Sequence, residues 1–290
     1  MKSTSLLVAF TLISIACTRA VPGPAPGPAT DPQQPPIQQE IGSARGPWTF
    51  SPTSIPLSYR SVEIALLELR SPTPRRDSLT TTTDFTVRIS RSPAATRVMG
   101  TIESLTRTAS TSFEPDSSYK LPLSFTGSLR DGGLVLDSVA GQASGSFTSC
   151  ESAGLNRITA VQRNIILPPA MLTKGQTWTD SSTVPACTGT IPVQLTTVRQ
   201  YHVLGEGSDG SVTLDRSDRV LAAGEGAQGQ HRITLRAQGS GSSRMSLDRI
   251  TGSLTHAESE YRIAVTIGSS GRVQEFAQVV RETTFLRLQD

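Results

Sequence analysis

The sequence predicts an all-β fold with minor helix, built around an antiparallel sheet. Apolar and polar residues alternate along several stretches, glycine-containing turns separate those stretches, and helical periodicity is scarce. Alternation with period two places one face of a strand against a core and the other face in water. The 290 residues are enough for one large β domain or two small ones.

The first residues are typical of a signal peptide. Lys2 precedes a mostly apolar run from Leu6 to Ala16, and Cys17 follows directly. The run is too short for a permanent membrane helix, which needs about 20 apolar residues, but it fits the core of a signal peptide. We therefore predict that residues 1–16 are removed.

The residues from Leu12 to Cys17, LISIAC, resemble the lipobox of bacterial lipoproteins. The resemblance implies that Cys17 becomes the first residue of the mature chain and carries lipid on its sulfur. Ser14 and Ile15 differ from the commonest lipobox residues, and a plain signal peptide cut elsewhere is the alternative. Thr18 is not the aspartate that retains many such lipoproteins at the inner membrane, so the resemblance implies the outer membrane.

The composition divides the rest of the chain into two segments. Residues 17–46 combine the lipid anchor with a tether rich in proline, glycine and glutamine, which we expect to be disordered. The aromatic and aliphatic content rises at Trp48, so residues 47–290 are predicted to form the β-rich domain. Its possible halves are residues 47–164 and 165–290.

Particular strands and one helix can be predicted within the domain. Clear alternation occurs from Phe85 to Ile89, from Ile233 to Ala237 and from Tyr261 to Ile267. Apolar residues at helical spacing predict a helix between residues 151 and 164, which the pair Pro168-Pro169 would end. The ambiguous stretches 59–69 and 272–288 are interpreted as strands, the second of them long and bulged.

An internal repeat suggests two similar halves. The segment LPLSFTGSLRDGGLVLDSVAGQ, from Leu121, resembles ITLRAQGSGSSRMSLDRITGSL, from Ile233, if one loop residue is dropped. A tryptophan signal recurs at Trp48 and Trp178, so each half is expected to start with a tryptophan strand and to contain one hairpin of the same design. The shared LDxhxG pattern is expected to form a turn in which the aspartate accepts backbone hydrogen bonds.

The run LPPAMLTKGQTWTD, from Leu167 to Asp180, resembles uncharacterised bacterial lipoprotein families with a proline-rich segment before a tryptophan strand. Some such envelope proteins share the half-open barrel of lipoprotein carriers. The resemblance implies a curved antiparallel sheet around an apolar cavity. If a hydrophobic ligand occupies that cavity, Trp48 or Trp178 is expected near its rim.

The cysteines fit an oxidising compartment. If Cys17 carries lipid, Cys150 and Cys187 remain as an even pair, for which a disulfide is expected. Two free thiols or a metal site are the alternatives. The metal site is disfavoured because no nearby pair of histidines would complete a set of ligands.

Charge and motifs point away from nucleic acid, cofactors and catalysis. Basic and acidic residues nearly balance, and the basic ones are scattered along the chain. The GxGxxG match at residues 224–229 lies between strand-like segments, and the SxxK match at residues 117–120 lies in an extended context. His202, His231 and His256 fall on different strands, so no metal or catalytic set is expected.

These observations favour a non-enzymatic lipoprotein of the cell envelope. The membrane would be its partner through the lipid anchor, and the curved sheet would bind a lipid or another hydrophobic ligand. The alternative is a structural lipoprotein with a solid core that docks on another envelope protein through a loop or an edge strand.

Overall fold

The computed structural model describes most of the predicted β-rich domain, and these residues belong to one compact unit, Glu40–Asp290. Predictions for the signal peptide, Cys17, nearly all of the tether and Cys150 lie outside the described residues. The described residues are 46–69, 75–92, 95–109, 121–130, 133–140, 142–143, 155–188, 191–228, 231–269 and 272–287.

Strands dominate this part of the chain. Its elements, in order, are β1 (Trp48–Thr49), β2 (Leu57–Leu69), β3 (Arg75–Arg91), β4 (Thr96–Ala109), β5 (Leu123–Arg130), β6 (Gly133–Val139), β7 (Gln142–Ala143), α1 (Leu155–Gln162), β8 (Met171–Leu172), β9 (Thr177–Thr188), β10 (Ile191–Glu206), β11 (Val212–Gln228), β12 (His231–Leu247), β13 (Leu254–Ser269) and β14 (Arg272–Leu286).

Twelve of the strands form one antiparallel sheet with the order β7-β6-β5-β4-β3-β2-β14-β13-β12-β11-β10-β9. Strands 2 to 7 and strands 9 to 14 are two meanders in which each strand pairs with its neighbour in sequence. The pairing of β14 with β2 joins the meanders. The short strands β1 and β8 pair separately. The predicted all-β fold with minor helix is confirmed.

The sheet curls until it is nearly closed, which confirms the predicted curvature. Near the two edges, β6 approaches β9 so closely that a Cβ atom on Gly133 would lie 2.2 Å from the Cβ of Ser182. Any larger residue at position 133 would push the two strands apart. Closure therefore depends on a glycine at this point.

One end of the barrel, where β2 begins and β14 ends, is filled by segments from outside the sheet, and we call it the plugged end. Helix α1 places Ile158 and Val161 inside the barrel, and the pair β1 and β8 adds Trp48 and Leu172. These side chains pack with buried residues of the strands, among them Phe85, Leu214, Met245 and Leu247. This is the main hydrophobic core.

The opposite end of the barrel, called the far end, contains a second apolar cluster. Its buried members come from strands alone: Ala186, Ile191, Val193, Ile233, Leu235 and Val265. Partly buried residues such as Leu195 and Phe276 pack against them. The inward-facing residues predicted from the alternation of β12 and β13 are among these side chains.

Two local predictions are confirmed and one detail is corrected. The predicted helix is α1, and the ambiguous stretch at residues 59–69 is strand β2. The C-terminal stretch is also a strand, but β14 pairs with β13 and β2 without a register shift, so it carries no bulge.

The predicted hairpin of the second repeat is wrong. Residues 233–247 form a single strand, β12, whereas the first copy does form the hairpin of β5 and β6. The turn expected at the end of the second copy is present, because Asp248 accepts hydrogen bonds from the backbone amides of Ile250 and Thr251. In the first copy Asp137 lies within β6.

Among the described residues, no helix is both long and apolar enough to span a membrane.

Candidate functional site

A layer of polar and charged side chains crosses the barrel interior between the two apolar clusters. The strand register aligns these residues in one inward row: Tyr201, Arg216, Ser243, Ser259, Glu282, Glu63 and Thr81. We call this row and its hydrogen-bonded neighbours the charged layer. Buried charges are stable only when they are paired and hydrogen-bonded, so its contacts decide what the layer does.

Arg216 and Asp218 are the most buried charges of the layer, with side chains only 2% and 1% exposed. The Arg216 Nε atom lies 3.0 Å from Asp218 Oδ1. The Tyr261 hydroxyl accepts a hydrogen bond from Arg216 Nη2 at 2.7 Å and donates one to Asp218 Oδ2 at 2.7 Å. The three side chains thereby pair with one another inside the barrel.

Arg163, directly after α1, joins the plug to the layer. Glu63 and Glu282 face each other across β2 and β14, an arrangement of like charges that destabilises a sheet. The Arg163 guanidinium bonds Glu63 and lies 3.5 Å from Glu282 Oε2. Burial acts to lower the pKa of Arg163, but the two carboxylates outweigh it and raise the pKa.

Three further contacts hold the same segment. Arg163 lies over the ring of Tyr261, with its Cζ atom 5.6 Å from the ring centroid. The backbone carbonyl of Arg163 accepts a hydrogen bond from Arg216 Nη1 at 3.0 Å. Asn164 Nδ2 donates to Glu282 Oε1 at 2.9 Å. The charged layer therefore fixes the segment after α1 within the barrel.

At the β9 side of the layer, Arg199 donates to Asp180 at 3.2 Å. Burial raises the pKa of Asp180 despite this partner. Trp178 stacks on Tyr201 with ring centroids 4.5 Å apart and planes 6° apart. Each charge in the layer has an opposite charge beside it, and the chemistry of the layer is that of a structural ion cluster.

A pocket opens at the plugged end, between the sheet and the segment after α1. We call it the mouth pocket. The inner face of β2 and β3 forms one wall, and residues 164–167, residues 52–55 and the turn 251–254 form the others. The cavity itself amounts to about 50 Å³, and it opens into a wider concavity that is exposed to solvent. It has room for part of one linear alkyl chain.

The lining of the mouth pocket is mostly apolar. Leu57, Val87 and Ile89 come from the strands, while Ile165 and Ile166 face them from the plug. Ile55, at the opening, is 65% exposed. A concave apolar surface with few polar groups is typical of a site for a small hydrophobic molecule.

Arg91 is the charged residue of this lining. It is the last residue of β3, and it follows Val87 and Ile89 on the inward face of that strand. No hydrogen bond or ion pair joins its guanidinium to another residue in the described part of the chain. Arg91 is exposed as a residue, but nearby atoms remove part of the water around its guanidinium, and this lowers the pKa of Arg91.

The two tryptophans predicted at a ligand rim lie in the main core. Trp48 is buried there, and Trp178 is partly buried against the same cluster. Neither is among the residues that line the mouth pocket, and their role at a rim stays a prediction. Cys187 lies in β9 opposite Pro192, while its predicted disulfide partner, Cys150, lies outside the described residues.

The three histidines lie on β10, β12 and β13, and the structure does not bring them together as a site. Within the described ranges, histidine, cysteine and carboxylate side chains form no group of three that could hold a metal ion. Gly224 and Gly226, from the GxGxxG match, lie within strand β11. The SxxK match falls outside the described residues.

The sequence analysis missed the charged layer and Arg91, although the signal for both was present. Arg216 and Asp218 share the inward phase of β11 with Leu214, and Glu282 shares that of β14 with Val280. A charge that falls in phase with buried apolar residues marks an interior ion cluster or a binding site.

Comparisons with known proteins complete the description. No protein-family model matches the chain, and no curated protein does. Among solved structures, OpdQ of Pseudomonas aeruginosa is 9% identical, with a TM-score of 0.23 over 80% of this chain and 99% of that one. OccK8 (OprE) of the same organism is 8% identical, with a TM-score of 0.21 over 80% and 98%. At these TM-scores the likeness carries no argument about fold or function, and the chain is assigned to no family.

Proposed function

We propose that the chain is a non-catalytic lipoprotein of the bacterial cell envelope, anchored through Cys17, whose barrel binds a hydrophobic ligand in the mouth pocket. The observation that supports the proposal best is the pocket itself, an apolar concavity that stays open to solvent in an otherwise well-filled end of the barrel. An apolar wall left open to water gains free energy when a ligand covers it.

The anchor and the envelope location rest on the lipobox-like residues that end at Cys17. The outward face of the barrel fits a domain held in an aqueous compartment, since it carries ion pairs such as those of Arg60 with Asp84 and of Arg244 with Asp215. Residues 17–46 would then hold the barrel at a distance from the membrane surface.

Docking on another envelope protein is less well supported. A long edge strand without protection would favour docking by strand addition, and β9 is such an edge by length. However, β9 contains Pro185, which lacks a backbone donor and interrupts pairing with a further strand. We therefore keep ligand binding as the proposed function.

The anchor is tested by expressing the full-length chain in a bacterial host with a labelled palmitate analogue. We expect the label on the wild-type chain and none on Cys17→Ser. Label that persists on Cys17→Ser, or an unlabelled wild-type chain, would overturn the lipoprotein assignment.

Ligand binding is tested on the Cys17→Ser chain, purified without detergent and examined by native mass spectrometry, with titration of a fluorescent fatty acid. We expect a bound lipid or uptake of the probe, and weaker uptake by Ile55→Ser. Val273→Ser at the far end, where Val273 is 67% exposed, is the matched control and should bind as the parent does. A clean apo mass with no uptake would refute ligand binding.

A further inference from the structure

We propose that the mouth pocket selects a single-chain amphiphile with an anionic head, whose carboxylate or phosphate oxygens are bound by Arg91. The inference rests on the proposed function, because it names the class of ligand for the same pocket. It is supported by the position of Arg91, by its lack of a partner and by the direction in which the apolar wall continues.

The position follows from the strand. Successive inward residues of β3 are Phe85, Val87, Ile89 and Arg91, and all four line the pocket. Because β3 ends at Arg91, the charge lies at the rim while the apolar side chains lie further inside. A linear molecule with a polar head and an apolar tail matches this order of side chains.

Among the described residues Arg91 has no carboxylate partner, whereas several other arginines of the barrel do. Arg60, Arg244 and Arg281 each contact a carboxylate on a neighbouring strand. Among the described residues, no acidic side chain lines the mouth pocket, and none pairs with Arg91. An arginine beside apolar walls that has no carboxylate of its own is available for the carboxylate or phosphate of a ligand.

The chemistry of arginine fits such a head group. The planar guanidinium presents paired donors that match the two oxygens of a carboxylate or phosphate. Partial loss of water around Arg91 strengthens such a contact, because the charges are less screened. A charge-assisted hydrogen bond of this kind tightens binding about tenfold to a hundredfold.

The tail of the ligand would run inward from Arg91. Leu57 and Val87 lie on one side of its course, and Ile165 and Ile166 lie on the other. Each methylene buried between them tightens binding about fourfold. The cavity is small, so a single-chain amphiphile fits it better than a lipid with two or more chains.

The proposal is tested by isothermal titration calorimetry on the Cys17→Ser chain with three ligands of equal chain length, each below its micellar concentration. Dodecanoate and dodecyl phosphate carry an anionic head, and dodecanol carries none. We expect at least one anion to bind about tenfold to a hundredfold more tightly than dodecanol. The tighter of the two anions identifies the head as carboxylate or phosphate.

Variants then assign the effect to Arg91. Arg91→Gln is expected to reduce the affinity for the anion to that for dodecanol, and Arg91→Lys to retain part of the preference. Arg97→Gln is the matched control, since it removes the same charge from the neighbouring strand, outside the pocket. It should leave all three affinities unchanged.

The outcomes separate the two proposals. If dodecanol and the anions bind with equal affinity and Arg91→Gln changes nothing, the assignment to Arg91 is wrong while ligand binding stands. If Arg97→Gln weakens the anions as much as Arg91→Gln does, general electrostatic attraction accounts for the preference and the site is refuted. If none of the three ligands binds, the proposed function fails.

Discussion

The two ends of this barrel share the same strands but are packed differently. At the plugged end, helix α1 and the pair β1 and β8 fill the interior, and Leu214, Met245 and Leu247 are completely buried. At the far end the described cluster comes from strands alone, and Leu195 and Phe276 remain partly exposed. The strands build the wall, whereas segments outside the sheet complete the core.

The charged layer lies between these ends and is bonded to the plug at one of them. Arg163 brings the plug into contact with Glu63 and Glu282. We therefore expect the stability of the plugged end to depend on the layer, and that of the far end to depend mainly on its own apolar contacts. Four measurements test this comparison.

The largest effect is expected for Arg163→Met. The change leaves Glu63 and the buried Glu282 facing each other without a cation, and removing the partner of a buried charge such as Glu282 costs about 3 to 5 kcal/mol. Urea unfolding of the purified chain measures the loss. Arg76→Met, in an exposed pair with Glu68, is the control and should cost below about 1 kcal/mol. Equal losses for the two variants would show that the plug is not held by the layer.

Leu→Ala substitutions compare the ends directly. Leu214→Ala removes a fully buried side chain from the plugged end and should cost about 2 to 5 kcal/mol, because the rigid surroundings leave a cavity. Leu195→Ala at the far end should cost clearly less, since Leu195 is only partly buried. Free energies of unfolding from urea titration check both values. A greater loss for Leu195→Ala would reverse the comparison.

Alkaline pH should weaken the plugged end through Tyr59. Burial raises its pKa in the folded state, so above pH 10 the unfolded chain loses this proton before the folded chain does. The contribution of Tyr59 to stability is therefore intact below about pH 10 and then falls by up to about 1.4 kcal/mol for each pH unit. Tyr59→Phe should reduce this slope between pH 10 and 11. An unchanged slope would show that Tyr59 ionises while folded.

The last measurement compares two glycines with positive φ. Gly252, with φ of +71°, lies against Phe50 of the core, and an added Cβ would lie 2.8 Å from the ring. Gly175, with φ of +81°, has nothing within 4 Å of that position. Gly175→Ala should cost about 1 kcal/mol for the backbone alone, and Gly252→Ala about 1 kcal/mol more for the contact. Thermal unfolding measures the loss of stability for both variants. Equal losses would show that the Phe50 ring moves aside without a cost in stability.

Much of the wall could be predicted from the sequence. Alternation indicated the inward residues of β3, β12 and β13, and apolar spacing indicated α1, because period two and helical period differ clearly over long stretches. The prediction of a second hairpin was wrong because the glycine and serine residues in β12 are typical of a turn. Gly241 instead makes room for Tyr261, whose ring would lie 2.3 Å from an added Cβ.

The site was harder to predict. Arg91 and Arg216 could have been found as charges in the inward phase of their strands. Their surroundings could not be predicted from the sequence. The mouth pocket combines four segments of the chain, and Arg163 contacts Glu63, which lies 100 residues away in the sequence. Such contacts depend on the strand register and on where the plug lies in the barrel.

By itself the sequence determined that the domain is an antiparallel β structure with a short helix, and which strand faces lie inward, since these features depend on local periodicity. The tertiary structure alone decided that β14 pairs with β2, that Gly133 lets the edges approach, and that the plug fills one end. Those outcomes depend on contacts between residues far apart in the chain, whose free energies are gained only when the whole sheet has formed.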